Sequence, residues 1–114
     1  MLSAADVIRI LNLEPHPLEG GYFRETYRSV GSVPASALWA HGADRSLGTA
    51  IFYLLTPGSV SEMHKLPGDE IFHFYLGDPV EMLQLFADAT SRTYVLGSDL
   101  EAGHFPQLLV SGGV

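Results

Sequence analysis

The hydrophobic pattern changes period once along the chain. Near the N-terminus Val7, Ile8 and Leu11 recur at helical spacing and form one apolar stripe. Ser3 is placed to cap that stretch, and Asp6 completes a capping-box-like pair three residues on. The pattern predicts a helix over residues 3–13, stopped by Pro15 and Pro17 and packed over the outside of a sheet. From Gly20 the period becomes two. Residues 20–28 are rich in β-formers, with Tyr22, Arg24, Thr26 and Arg28 on one face and Phe23, Glu25 and Tyr27 on the other.

A loop is expected over residues 30–48, containing Gly31, Pro34, Trp39 and Gly42. Residues 49–56 are nearly all apolar and predict a buried strand, closed by Pro57 and Gly58. Residues 58–77 read as a hairpin: two short strands about a tight turn of Leu66, Pro67, Gly68 and Asp69, with His64 before it and Glu70 after it. Strands follow over residues 80–86, 91–96 and 105–110, separated by turn signals at Asp88, Ala89 and Thr90 and at residues 97–103. One helix and a succession of short strands predict an all-β double-sheet jelly roll or small barrel.

Composition narrows the chemistry. The 114 residues suffice for one domain, and 46% apolar residues mark a globular chain. There is no cysteine, which excludes disulfides, thiolate metal sites and a cysteine nucleophile. Thirteen acids against six bases give a formal charge of −7, a balance that repels phosphate backbones and argues against nucleic acid as a partner. No apolar run is long enough to span a bilayer. The first residues lack the basic start and apolar run of a signal peptide, so a cytoplasmic location is the default expectation.

The sharpest candidate chemistry is the pair His64 and Glu70. An imidazole and a carboxylate flanking one turn can serve as a base and its orienting acid, or as ligands of a divalent metal. The ordinary alternative is a surface hairpin with Glu70 paired to Lys65. A metal centre generally needs about three protein ligands, and here the set is incomplete. Alternation from Glu70 sends Ile71, His73 and Tyr75 to the opposite face, and His41 and His104 are expected to be solvated. Tyr22 and Arg24 share a strand face suited to an anionic or hydroxylated ligand, because Arg grips such groups through a planar fork. An exposed face with solvated arginines fits that pattern equally. Gly20 and Gly21 precede no helix and make no phosphate loop.

The spacing of Gly58, His64, Glu70 and Gly77 falls in register with the first cupin motif, G-x5-H-x-H-x3,4-E-x6-G. Leu66 stands where the motif has its second histidine. With Pro15 to Pro17, Glu19 to Ser29, Thr49 to Leu55, Asp69 to Pro79 and Leu96 to Leu100, the chain resembles the small single-domain cupins of unknown function, the "cupin five" group. The resemblance implies a cupin double-stranded β-helix, a jelly-roll barrel like that of the deoxysugar-nucleotide epimerases, usually as a homodimer. By position, it implies His64 and Glu70 as first-motif metal ligands, a role that Leu66 weakens. The second motif would begin near Gly103, with Ser111 in place of its proline. The chain is therefore expected to be a single cupin domain, residues 1–114, lacking its C-terminal strands and leaving an edge for a partner to cover.

Two functions follow as expectations. One is a sugar-epimerase-like or metal-assisted isomerase acting on a small polar molecule, a sugar or sugar-nucleotide-like ligand, with His64 and Glu70 as catalytic residues and Tyr22 and Arg24 at the ligand. In a metal-free form of it, His64 is the base and a tyrosine the acid. The other is a non-catalytic module that binds or senses such a ligand.

Overall fold

The structure is a computed structural model that describes residues 1–37 and 43–114. His41, Trp39 and Gly42 of the expected loop lie outside the described residues. The chain divides into two compact units, Met1–His64 and Lys65–Val114.

The first unit opens with helix α1, Ala4–Leu11. Its start is the expected capping box. The Asp6 amide donates to Ser3 Oγ at 3.1 Å, while the Ser3 amide and hydroxyl donate to Asp6 Oδ2 at 2.9 and 2.8 Å. Asn12 ends the helix in the left-handed conformation, with φ 53°, which an asparagine tolerates better than most residues. Val7 and Leu13 are buried.

Strands β1 (Glu14–Pro15), β2 (Tyr22–Arg28) and β5 (Thr49–Leu54) form an antiparallel sheet in the order β1-β2-β5. Pro15 lacks the amide of a ladder and sits in the two-residue end strand, opposite Tyr22. The β2–β5 register pairs Tyr22 with Leu54, Phe23 with Tyr53 and Arg24 with Phe52, and shifts at a bulge between Glu25 and Tyr27. The expected long loop carries structure of its own: β3 (Ser32–Val33) pairs with β4 (Arg45–Ser46), and a 3-10 turn spans Ala35–Ala37. The expectation that residues 49–56 are a buried strand is corrected. β5 is an end strand of its sheet and Ile51 is 45% exposed.

In the second unit β6 (Glu70–His73) pairs antiparallel with β9 (Gln107–Val110), and β7 (Val80–Leu85) with β8 (Ser91–Leu96). The β7–β8 turn is held by Asp88, whose Oδ1 accepts from the Thr90 amide and hydroxyl, and Ala89 takes a left-handed φ of 66°. Gln84, almost wholly buried, donates from Nε2 to the Leu109 carbonyl at 3.1 Å and so fastens β7 to β9. The turn before β6 is also fastened. Asp69 Oδ1 accepts from the Gly112 amide and the Leu66 carbonyl from the Gly113 amide, both at 2.8 Å.

The hairpin over residues 58–77 does not form as predicted. Its second half becomes β6, but its hydrogen-bonded partner is β9, and residues 60–66 form no strand. The described strands lie in four sheets, β1-β2-β5, β3-β4, β6-β9 and β7-β8. Among the described residues no helix is long and apolar enough to cross a membrane.

Candidate functional site

The site begins with a turn. Between β1 and β2 the chain reverses through Pro17, Leu18, Glu19, Gly20 and Gly21, closed by a hydrogen bond from the His16 amide to the Gly21 carbonyl at 2.9 Å. Gly20 and Gly21 have φ of 87° and 71°, a region costly to other residues. A Cβ on Gly20 would strike the Val60 carbonyl, and one on Gly21 the Leu54 carbonyl and the Tyr53 ring. The glycine pair therefore serves close backbone approach.

Inside this turn His16 acts as a cap. Its Nδ1 accepts from the amides of Leu18 at 3.2 Å and Glu19 at 3.0 Å. An atom that accepts from two N–H groups carries no hydrogen, so in the neutral ring Nε2 bears it. The ring packs against Phe23, centroids 4.7 Å apart, and Tyr53 at 6.0 Å. His16 Nε2 then faces Glu19 Oε2 at 4.0 Å.

The other oxygen of Glu19 faces His64. Glu19 Oε1 lies 3.4 Å from His64 Nε2, with side chains 26% and 29% exposed. Nδ1 of His64 meets the Glu62 carbonyl oxygen at 2.7 Å. A carbonyl only accepts, so Nδ1 holds the hydrogen and Nε2 is the atom left to take or release a proton. The Glu62 amide in turn donates to the Glu19 carbonyl at 2.8 Å. Main chain and side chain thus join residues 16–19 to residues 62–64 at several points.

Tyr53 completes the group. Its hydroxyl donates to the Gly20 carbonyl at 2.6 Å. Burial raises the phenol above its ordinary range, a hydrogen bond with the Ser61 side chain opposes that, and the Glu19 charge adds to it. The hydroxyl keeps its proton well past neutrality.

The residues singled out from the sequence fall in different places. His64 is at the centre of the cluster. Tyr22 and Arg24 are on β2 but share the face of their partners Leu54 and Phe52; the Arg24 guanidinium lies 6.0 Å from the Phe52 ring. Phe23 and Tyr53, which contact His16, take the other face. Glu70 opens β6 opposite Val110 in the second unit. His73 and Tyr75 stack at 6.3 Å, and the alternating exposure of β6 sets His73 apart from Glu70 and Phe72. His104 has a local role: its Nδ1 accepts from the Asp99 amide at 3.3 Å and its ring lies against Gly97.

His16, Glu19 and Tyr53 were not among the expected functional residues. A usable signal was present. A histidine between two prolines, followed three residues later by Glu and then Gly-Gly, predicts a fixed turn with an imidazole and a carboxylate inside it.

The donor set bears on a metal. Among the described residues no group of three or more His, Cys, Asp or Glu side chains is placed to hold one. His16 is unsuited for a further reason: ligation through Nε2 would require a hydrogen on Nδ1, directed at two backbone amide hydrogens. His64 and Glu19 alone fall short of a metal centre.

Residues 5–114 match the family described as "Cupin superfamily (DUF985)". An uncharacterized protein of Saccharomyces cerevisiae, YML079W, is 31% identical over 103 residues, covering 84% of this chain and 51% of that protein. A hypothetical protein from Leishmania major superposes with a TM-score of 0.86 at 33% identity, covering 98% of this chain and 66% of that one. Protein SO0799 from Shewanella oneidensis gives the same TM-score at 37% identity, covering 99% and 66%. The chain thus spans about half the length of the curated relative and about two thirds of each solved structure. Matched along nearly its whole length, mostly β with one helix, this chain belongs to the Cupin superfamily (DUF985).

Proposed function

We propose that the chain binds a small polar molecule and moves a proton on it, as an isomerase- or epimerase-like cupin acting on a sugar-like ligand. The observation that carries this reading is the state of His64. Its Nδ1 donates to a backbone carbonyl and its Nε2 faces a carboxylate, in a side chain that is 29% exposed. In such a step Nε2 takes a proton from a carbon next to a carbonyl, and Glu19 stabilises the imidazolium that results. Tyr53 is the candidate acid beside the same turn, its hydroxyl exchanging the Gly20 carbonyl for the ligand. Turnover of a panel of keto sugars by wild type and His64→Ala tests the reading. Unchanged turnover of every accepted substrate in His64→Ala removes it.

A second reading, a binding or sensing module without catalysis, is favoured by one observation. The Nδ1–H of His64 is held by the Glu62 carbonyl, a neutral acceptor that raises the basicity of Nε2 less than a carboxylate would. Ligand-dependent thermal stabilisation without turnover distinguishes it. A homodimer is proposed as the working assembly, supported by an exposed apolar cross-strand pair, Ile71 and Leu109. A monomeric solution mass at all concentrations removes it.

A further inference from the structure

The gap between His16 Nε2 and Glu19 Oε2 has a defined chemistry. At 4.0 Å it is too long for a direct hydrogen bond. One side is a donor whose hydrogen is fixed by the two amides on Nδ1. The other side, an ionised carboxylate, can only accept. An oxygen about 2.8 Å from each atom closes the gap at close to a right angle and must accept from one and donate to the other. A hydroxyl does both. Phosphate and carboxylate groups are disfavoured, because they bring a second negative charge against Glu19.

We propose that His16 and Glu19 form a subsite for one hydroxyl group of a neutral, polyhydroxylated ligand. The hydroxyl accepts from His16 Nε2–H and donates to Glu19 Oε2. Glu19 Oε1, on the far side of the same carboxylate, faces His64 Nε2 at 3.4 Å, so a ligand anchored here lies beside the proton-transfer atom. Rings of Phe23 and Tyr53 wall the His16 side, and the side chains of His16 and Glu19 are 16% and 26% exposed. This specifies the ligand class of the preceding proposal and rests on it. It makes His16 a binding residue with one fixed tautomer.

Imidazole nitrogen NMR of the histidine-labelled whole chain tests the proposal, with glycerol, glucose and inorganic phosphate as probes. His16 is expected in a single form with Nε2 protonated. Glucose or glycerol is expected to shift His16 Nε2 saturably, and phosphate at equal concentration is not. His16→Asn retains an acceptor for the turn amides and loses Nε2–H, and weakens polyol binding by about five-fold. Glu19→Gln weakens it by about ten-fold or more.

A mixed or Nδ1-protonated His16 in the wild type overturns the proposal even if the variants fail to fold. So does phosphate shifting the same resonance, or water alone filling the gap with no polyol effect on His16. Polyols that shift His64 but not His16 sink the subsite and leave the small-polar-ligand reading standing. Loss of that reading is decided separately, by the His64→Ala turnover assay.

Discussion

The phenolic hydroxyl of Tyr53 donates to the carbonyl of Gly20 at 2.6 Å, tying β5 to the turn that carries Glu19. Tyr53→Phe removes this bond and leaves the carbonyl without that donor, at a cost of about 1 kcal/mol at neutral pH. The folded phenol is raised above its ordinary value of 10.0, first by burial. Its contribution is therefore fully present below that value and is lost as pH rises through the folded pKa. Thermal melts from neutral to strongly alkaline pH should show the wild-type advantage over Tyr53→Phe shrinking only above about pH 10.

Gly20→Ala and Gly21→Ala should each destabilise by about 1–3 kcal/mol, since both force a side chain into a left-handed conformation and against backbone oxygens. Gly58→Ala is the control. Its added Cβ meets nothing within 4 Å and its φ is not in the left-handed region, so the change should be neutral or stabilising by up to about 1 kcal/mol. Urea midpoints of the three variants check the contrast.

The capping box predicts an acid-dependent helix. Asp6 is held below its ordinary value of 3.8, chiefly by the Ser3 amide and then by the Ser3 hydroxyl. Its contribution is present above that value and is lost as pH falls through the lower, folded one. Ser3→Ala should cost about 1 kcal/mol at neutral pH. Amide exchange in α1 should quicken in Asp6→Asn at neutral pH, and the difference from wild type should vanish in strong acid.

The His64–Glu19 contact should matter more to function than to folding. With both side chains a quarter or more exposed, solvent screening limits the pair to at most about 1 kcal/mol. Glu19→Gln should melt within a few degrees of wild type while losing ligand binding and turnover. A large drop in melting temperature would show that the pair is structural.

Much of this was legible locally. The helix, its cap, the β7–β8 turn and the alternation that separates His73 from Glu70 all depend on residues within a few positions of each other. Motif spacing led to the family, yet of its two glycines only Gly77 has a left-handed φ. Leu66, the motif's departure, contributes a carbonyl to the Gly113 amide, a role for which any side chain serves.

By itself the sequence determined the helix and its cap, most of the strands and the family, and it singled out His64 as a candidate, because periodicity, caps and spacing are local properties of the chain. Only the tertiary structure decided what His64 faces. A carboxylate reaches Nε2 from Glu19 because the Gly20-Gly21 turn and the Glu62 amide bring two distant backbones together, and no short-range pattern encodes that pairing. The same holds for β6, which found β9 rather than the adjoining segment, since strand partners are chosen by long-range packing.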